Sequence, residues 1–336
     1  MKRFSIVLLI SLLIILLCVV SFSNAAEKEP IVITVAHVSP PTVPYTFGAE
    51  KFGEYLSLLL DREVVVKVYP GGELAADEGE ALEMVQDNLL DVSWSSTGNL
   101  AGFAPEIQFT DLPYLFEDID HLDRVLSGEL GRAILNLVEE KTGVKALAYH
   151  EDAWRVITSK KKIETFEDMK GLKIRAMMAP IFVDMYKAMG ADPTPIPWSE
   201  LYTSLELGVV DAQDNGIVHS EPAGFFEVQD YVAMLHHYWS AGVVLMSQGC
   251  WNKFTEEEKP LVRKAAVLAG EIQRRLAWER EKSQIKDIEA KYGVIFTYPE
   301  RKPFEESVKD MYKKWFKEYP VFEEWYQKVQ LLKNKK

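Results

Sequence analysis

Arg175 is the residue whose surroundings most strongly suggest chemistry, because it lies in the short strand-like run GLKIRAM, residues 171–177. A strand that helices cover on both sides is normally apolar on both faces, so a guanidinium there needs an explanation. An arginine near the C-terminal end of such a strand can hold a carboxylate through two charge-assisted hydrogen bonds, where open α/β sheets bind ligands. An ion pair with an acidic side chain of the protein itself is the other interpretation, and Arg175 alone does not decide between them.

Three more side chains lie, like Arg175, near the ends of strand-like or helix-like runs. Arg155 opens the strand-like run RVITSK, and Asn215 follows a second such run in VVDAQDNG. Asn215 could donate an amide N–H to the same anion, although Asn-Gly is also a strong turn pair. Trp198 precedes a helix in PIPWSELY, where it could cover a ligand or pack with its indole N–H satisfied. None of these residues specifies a site by itself.

The sequence contains no recognisable catalytic or metal-binding motif. Its six histidines form no HExxH pattern and no Cys/His cluster with metal-ligand spacing, and there is neither a P-loop nor a G-x-S-x-G elbow. His236 and His237 are neighbours in a predicted strand, where they would point to opposite faces and make poor joint ligands. Cys250, in SQGCWNKF, is predicted to be a buried or loop cysteine rather than a reactive thiol. We therefore expect no catalytic residue, no metal and no cofactor.

Residues 1–25 are predicted to form a cleaved secretory signal peptide. Lys2 and Arg3 precede an apolar stretch from Phe4 to Phe22, and a small-residue cleavage pattern follows it. An uncleaved membrane anchor is the alternative, since a membrane span needs about 20 apolar residues. We expect an exported mature chain.

The mature chain is strongly acidic. The whole sequence has 38 basic and 51 acidic residues, a net charge of −13, and removing Lys2 and Arg3 leaves 36 against 51, or −15. Such a chain does not attract nucleic acid or anionic lipid. If the ligand is an anion, nearby cationic side chains must hold it against the negative electrostatic potential of the whole chain. Arginines in the interior are therefore candidates for the binding site.

Strand-like and helix-like segments alternate along the mature chain, which is typical of an α/β architecture. No Gly/Ser linker interrupts them, so we expect two lobes joined by secondary structure with a cleft between them. A long apolar strand over 231–247 and a long helix over 256–292 are predicted to cross between the lobes. The other main segments are strands over 31–38, 62–70, 90–96, 144–150, 155–160, 172–177 and 293–299, and helices over 45–61, 77–88, 129–142 and 180–190.

Several of these runs together resemble a known family. GLKIRAM, PIFVDMYKAMGADPTPIPWSELYTSLELGVVDAQDN and FFEVQDY closely resemble the solute-binding proteins of tripartite ATP-independent periplasmic (TRAP) transporters, the DctP-like family. Upstream runs such as VYPGGELA and FTDLPYLFED agree as well, so the resemblance extends from about residue 31 to about residue 300. It implies a two-lobe periplasmic-binding-protein fold of the α/β class, with a ligand cleft between lobes that long strands and a long helix connect.

The resemblance also implies a function. We expect a periplasmic receptor, acting as a monomer without nucleic acid, that binds a small organic acid and delivers it to the membrane subunits of a TRAP permease. The first lobe would comprise residues 29–152 and 241–280, and the second lobe residues 153–240 and 281–336. A secreted hydrolase or lyase that uses carboxylates in the same cleft is the alternative from another class, and a binding protein that feeds a sensor is a third.

The family pattern assigns roles to particular side chains. It implies that Arg175 makes the main salt bridge to the ligand carboxylate, that Arg155 assists, and that Asn215 contacts the same carboxylate. The remaining expected pocket residues are Trp198, Trp239 and Ser96. Ser96 stands where sialic-acid binders tend to carry an acidic residue, so sialic acid is a disfavoured ligand. A C4-dicarboxylate and a monocarboxylate with an apolar tail both remain open.

This sequence departs from the family pattern next to Asn215. The run DAQDNG has Ala212, Asp214 and Gly216 where the family usually has glycine, glutamate and proline. We expect the loop after Asn215 to be freer as a result.

Overall fold

The computed structural model describes residues 29–333. The predicted signal peptide, residues 1–25, lies outside this range. Between residues 29 and 333, every helix is too short or too polar to cross a bilayer.

Strands and helices alternate along much of the described chain, as predicted. The strands are β1 (Ile31–Ala36), β2 (Val64–Tyr69), β3 (Val92–Ser96), β4 (Lys145–Trp154), β5 (Val156–Ser159), β6 (Lys173–Ala176), β7 (Asp192–Pro195), β8 (Ala212–Asn215), β9 (Tyr231–Ala233), β10 (Trp239–Met246) and β11 (Ile295–Thr297). The helices are α1 (Pro44–Leu60), α2 (Glu78–Gln86), α3 (Thr97–Leu100), α4 (Ile119–Leu126), α5 (Glu129–Thr142), α6 (Pro180–Ala188), α7 (Trp198–Glu206), α8 (Ile217–Ser220), α9 (Gln248–Trp251), α10 (Lys259–Tyr292), α11 (Arg301–Ser307), α12 (Lys309–Glu318) and α13 (Val321–Leu332).

The first lobe is built on a five-stranded sheet with the strand order β2-β1-β3-β10-β4. β1 pairs in parallel with β2 and β3, whereas β10 runs antiparallel to both β3 and β4. Every residue of β10 is buried, because it is an inner strand with helices on both faces. The first lobe therefore depends on a strand that comes much later in the chain than its neighbours.

The second lobe is built on a six-stranded sheet with the order β11-β9-β5-β8-β6-β7. β6 lies parallel to both β7 and β8. Because parallel strands end at the same edge of a sheet, residues at the C-terminal ends of β6 and β8 emerge side by side. This edge faces the first lobe.

Three connections pass between the lobes. β4 leads directly into β5 through Arg155, residues 234–238 join β9 to β10, and α10 contacts α1 and β4 in one lobe and α8 in the other. The prediction of a long helix over 256–292 is confirmed, apart from its first turn. Lobes joined in this way, with a cavity between them, match the expected fold class.

The predicted single strand over 231–247 is wrong. β9 belongs to one sheet and β10 to the other, and His236 between them has a left-handed backbone with φ of +43°. His236 and His237 are consequently not strand residues. Met234 and Leu235 are buried where the chain crosses between the lobes. Their apolar side chains therefore continue the pattern of a buried strand, although the segment is not one.

The C-terminal segment contains the helices α11, α12 and α13, which contact both lobes. His121 Nε2 lies 3.0 Å from the carbonyl oxygen of Val329, which joins α4 to α13. Trp315 Nε1 donates to Asp184 Oδ2 at 3.0 Å, which joins α12 to α6. The C-terminal helices therefore connect α4 of the first lobe with α6 of the second.

Candidate functional site

A cavity of about 260 Å³ lies between the two lobes. The lobes meet around it: Gln108 of the first lobe accepts a hydrogen bond from the backbone N–H of Ile181 in the second lobe, at 3.3 Å. The side chains that matter for its chemistry are Glu78, Ser96 and Asn99 on the first lobe and Arg155, Arg175, Trp198, Asn215 and His219 on the second.

Arg175 lies near the end of β6 and is only 4% exposed. Its Nε donates to the carbonyl oxygen of Ile196 at 2.8 Å. Within residues 29–333 no carboxylate lies within ion-pair distance of this guanidinium, and its terminal nitrogens have no hydrogen-bond partner. Burial lowers the pKa of Arg175, while the nearby carboxylate of Asp214 raises it and the charge of Arg155 lowers it further. The interpretation of Arg175 as part of an internal ion pair finds no support in the described part of the chain.

Arg155 has different surroundings, although it lines the same cavity. Its Nε lies 3.6 Å from Asp214 Oδ2, and both side chains are buried. The Tyr238 hydroxyl donates to the same carboxylate oxygen at 2.6 Å. Asp214 therefore balances the charge of Arg155, which leaves Arg175 as the arginine whose charge the protein does not balance directly.

Asn215 ends β8 at the same sheet edge as Arg175. Its side-chain oxygen accepts hydrogen bonds from Arg155 Nη1 and from the backbone N–H of Gly216. These two donors fix the amide orientation, so that the Nδ2 group remains as a donor for a ligand. Since no acceptor for Nδ2 exists among the described residues, the geometry suits an anion held jointly with Arg175.

Trp198 and Ser96 also line the cavity, one from each lobe. Trp198 begins α7 and packs edge-on against Phe225, with ring centroids 5.4 Å apart. The Ser96 hydroxyl donates to Glu78 Oε2 at 2.6 Å, so it supports another cavity residue.

Trp239 is not brought together with the other expected residues. It begins β10, is 1% exposed, and packs edge-on against Phe116 with ring centroids 6.1 Å apart. The cavity lining does not include it. Its expected contact with the ligand stays a prediction without support from this geometry.

Glu78 and His219 line the cavity but were not anticipated from the sequence. Glu78 is the first residue of α2 and is 7% exposed. An acid in the first turn of a helix usually complements the helix dipole, so Glu78 was not distinguishable from other acids of that kind. His219 lies on α8, where its ring packs edge-on against Tyr45 of the first lobe at 5.3 Å.

Cys250 is buried, as predicted, in the short helix α9. Burial raises the pKa of its thiol to about 12, so the reactive thiolate is not formed at neutral pH. Among residues 29–333, no group of three or more histidine, cysteine, aspartate or glutamate side chains is arranged to hold a metal ion.

Two α/β lobes that enclose a small cavity with an unbalanced buried cation define a protein of the two-lobe solute-binding class. The model of the family described as bacterial extracellular solute-binding protein, family 7 (DctP) matches residues 35–319, and the chain belongs to this family. The resemblance and the fold class predicted from the sequence are both confirmed.

Individual relatives agree with this assignment. Solute-binding protein RD1_1052 of Roseobacter denitrificans is 32% identical over 290 residues, which cover 86% of this chain and 88% of the relative. The 2,3-diketo-L-gulonate-binding periplasmic protein YiaO of Escherichia coli is 32% identical over 272 residues, covering 80% and 82%. A TRAP periplasmic solute-binding protein from Polaromonas sp. JS666, solved with bound D-erythronate, superposes with a TM-score of 0.84 at 28% identity, covering 91% of this chain and 100% of that structure.

Proposed function

We propose that the protein captures a small organic acid in the cleft between its lobes, with the ligand carboxylate held by Arg175. The observation that carries this proposal is the state of Arg175: buried, lining the cavity, and without a carboxylate partner in the described chain. An unpaired buried charge is costly, and a ligand anion removes that cost. A planar guanidinium also matches the two oxygens of a carboxylate.

The neighbouring residues have supporting parts in this proposal. Asn215 donates its amide N–H to the same carboxylate, and Arg155 holds Asn215 in the required orientation through its side-chain oxygen. Because Asp214 already pairs with Arg155, Arg155 contributes orientation more than charge. Trp198 covers the ligand from the second lobe.

The relatives support a carboxylate ligand. D-Erythronate and 2,3-diketo-L-gulonate, the compounds named for two of them, are both hydroxylated monocarboxylates. We propose in addition that the chain acts as a receptor and not as an enzyme, in the periplasm after cleavage of residues 1–25, as a monomer that hands its ligand to the membrane subunits of a TRAP permease.

The lobe boundaries are part of the proposal. Residues 29–152 with 241–280 would move as one body, and residues 153–240 with 281–336 as the other. Membership of the two sheets supports this division, since β1 to β3 with most of β4 and β10 fall in the first set and β5 to β9 with β11 in the second. Closure about the three crossings would bring Arg175 against the first lobe.

Calorimetric titration with organic acids tests the proposal. The chain from residue 26 onward is purified, freed of bound ligand by unfolding and refolding, and titrated with D-erythronate, D-glucuronate and succinate. We expect at least one acid to bind, to be recovered chemically unaltered after prolonged incubation, and to lose affinity about a hundredfold or more in Arg175→Met, as removal of a buried charged anchor predicts. Arg275→Met is the matched control, because Arg275 is exposed on α10. Equal affinity of wild type and Arg175→Met would remove Arg175 as the anchor.

A further inference from the structure

We propose that the protein has a second ligand site, for a small aromatic carboxylate, in an open cavity beside its C-terminal helices. This C-terminal cavity has a volume of about 580 Å³, which is within the usual range of small-molecule sites. It lies between residues 113–117 of the first lobe and the helices α11 to α13, and it shares no lining residue with the cavity between the lobes. The proposal is therefore independent of the role given to Arg175.

Part of the lining of the C-terminal cavity is aromatic. Tyr312 and Phe316 of α12 and Tyr326 of α13 line it and contact one another, with ring centroids 5.4, 5.5 and 5.7 Å apart. The Tyr312 hydroxyl donates to the carbonyl oxygen of Pro113 at 2.7 Å, which fixes this ring against the first lobe. Aromatic rings favour offset-stacked and edge-on contacts with another ring, so this lining suits a flat aromatic group.

Tyr114 offers the same cavity a hydrogen-bond donor. It lines the cavity, and its hydroxyl is shielded from solvent without a hydrogen-bond partner within residues 29–333. Its backbone is left-handed, with φ of +58°, a conformation that is unfavourable for a residue with a side chain. The backbone N–H of Tyr114 donates to the carbonyl oxygen of His237 at 2.8 Å, which holds the residue in this conformation. A buried hydroxyl without an acceptor is costly, and a ligand oxygen would remove that cost.

Arg301 provides a cation beside Tyr114. Its Cζ lies 5.1 Å from the centre of the Tyr114 ring, so the guanidinium and the tyrosine belong to the same part of the lining. The ion pair of Arg301 with Glu305 is long, at 3.5 Å, and the two side chains are 43% and 44% exposed, which makes the pair weak. Arg301 can therefore exchange Glu305 for a ligand carboxylate.

The charge of the whole lining also favours an anion. The charged residues that line the cavity are Arg301, Lys309, Lys333, Glu117 and Glu305. Three basic against two acidic residues leave a local excess of one positive charge, in a chain whose net charge is −13. A single carboxylate matches this excess, and a guanidinium binds it through charge-assisted hydrogen bonds.

Together these features define the class of ligand. An aromatic ring contacts the tyrosine and phenylalanine rings, while the carboxylate accepts from Arg301 and from the Tyr114 hydroxyl. A neutral alcohol would lack the charge-assisted hydrogen bonds, and a saturated ring would lack the aromatic contacts. The proposed ligand is therefore an acid with one aromatic ring system and one carboxylate.

Titration calorimetry with two matched sets of probes tests this class on the chain from residue 26 onward. One set is phenylacetate, 2-phenylethanol and cyclohexylacetate, and the other is 2-naphthylacetate, 2-naphthaleneethanol and decahydronaphthylacetate. We expect the aromatic acid of at least one set to bind about tenfold or more tightly than its neutral alcohol, the range for hydrogen bonds to a charged group. We expect the same acid to bind several-fold more tightly than its saturated counterpart.

Variants then locate the bound acid. Arg301→Met and Tyr114→Phe should each weaken its binding about tenfold, because each removes a donor to the carboxylate. Lys302→Met is the matched control, since Lys302 is exposed on the same helix and does not line the cavity. Lys302→Met and Arg175→Met should both bind the acid like wild type. In thermal unfolding without ligand, Tyr114→Phe should be at least as stable as wild type, because it removes a buried hydroxyl without an acceptor.

The remaining outcomes overturn the second site and leave the proposed function standing. An aromatic acid that Arg301→Met binds normally and Arg175→Met does not bind occupies the cavity between the lobes instead. Equal affinity for the alcohol or for the saturated acid overturns the ligand class, and no binding of either aromatic acid at about 1 mM overturns the site. A clear loss of stability in Tyr114→Phe would show that the hydroxyl is already satisfied within the protein.

Discussion

Arg155 and Asp214 form a buried ion pair, with Nε and Oδ2 3.6 Å apart, on the wall of the same cavity in which Arg175 has no carboxylate partner among the described residues. The two arginines therefore differ in energetic role although they share a site. One is paired with a carboxylate of the protein, and the other has no such partner among residues 29–333.

This difference predicts opposite effects on the stability of the ligand-free protein. Asp214→Asn removes the carboxylate whose Oδ2 lies 3.6 Å from Arg155 Nε in the buried pair and is expected to reduce the free energy of unfolding by about 3–5 kcal/mol. Arg175→Met removes an unbalanced buried charge and is expected to leave that free energy unchanged or to raise it. Urea unfolding of both variants without ligand measures the two effects. Equal destabilisation by both substitutions would show that Arg175 is already paired in the free protein.

The close contact of Gly98 with the second lobe predicts an effect on closure. A methyl group added at Gly98 would lie 2.7 Å from Phe182 Cε2 and 2.8 Å from Met177 Cε, which belong to the opposite lobe. Overpacking costs about 1–3 kcal/mol, so we expect Gly98→Ala to weaken ligand binding about tenfold, mainly through faster dissociation. Small-angle scattering should show a smaller compaction on ligand addition than in wild type.

Gly102→Ala is the matched control for this experiment. A methyl group at Gly102, in the same segment, would have no heavy atom within 4 Å. The two alanine variants should therefore differ in dissociation rate. If they behave alike, the approach of Gly98 to the second lobe does not limit closure.

Glu151 predicts a dependence of stability on pH. Its pKa is raised to about 8, mainly by burial and also by the charge of Glu281, while Arg274 opposes both. The folded state then holds a proton that the unfolded chain releases above its ordinary pKa of 4.5. The stability associated with this proton is fully present below pH 4.5 and is lost as the pH rises through 8, by a few kcal/mol in total.

The variant Glu151→Gln isolates this group. The Tm of wild type should fall relative to that of Glu151→Gln between pH 5 and pH 8, because the amide cannot ionise. Scanning calorimetry at pH 5, 6.5 and 8 measures the difference. A constant offset between the two proteins at all three pH values would contradict the buried, protonated state.

The contacts of His236 lead us to expect that residues outside the cavity influence the affinity for the ligand. Its Nε2 lies 2.7 Å from Glu281 Oε1 on α10, and its ring packs edge-on against Trp154 at the end of β4. One residue of the β9–β10 crossing thus contacts the other two connections between the lobes. We expect His236→Ala and Glu281→Gln each to change affinity several-fold, and the double variant to show little further change, as coupled residues do. Additive effects in titration calorimetry would mean that the two residues act separately.

Much of the fold was predictable because local pattern and tertiary packing agree. The helix predicted over 129–142 is α5 with the same bounds, since its apolar residues recur at helical spacing and Gly143 ends it with φ of +77°. Arg175 and Asn215 were recognisable because both are polar residues at the ends of short strands. Their proximity follows from the parallel pairing of β6 with β8.

The features that were not predicted depend on contacts between distant residues. Glu78 is distinguished by donors 18 and 21 residues away in sequence, Ser96 and Asn99, and by nothing in its own surroundings. Trp239 was expected in the pocket from the family pattern alone, and its contact with a ligand stays a prediction. The crossing at residues 234–238 could not be told from a strand in the sequence, because its apolar residues are buried as those of a strand would be.

The position of β10 has a consequence for how the chain is made. β10 lies between β3 and β4, yet it follows most of the second lobe in sequence, and β11, one of the two outer strands of the second sheet, ends only at Thr297. A growing chain that has not reached Trp239 therefore carries β3 and β4 with unpaired edges, the state most open to wrong pairing. During synthesis neither lobe can complete its sheet until the final third of the polypeptide has appeared, so both lobes finish folding late and close together in time.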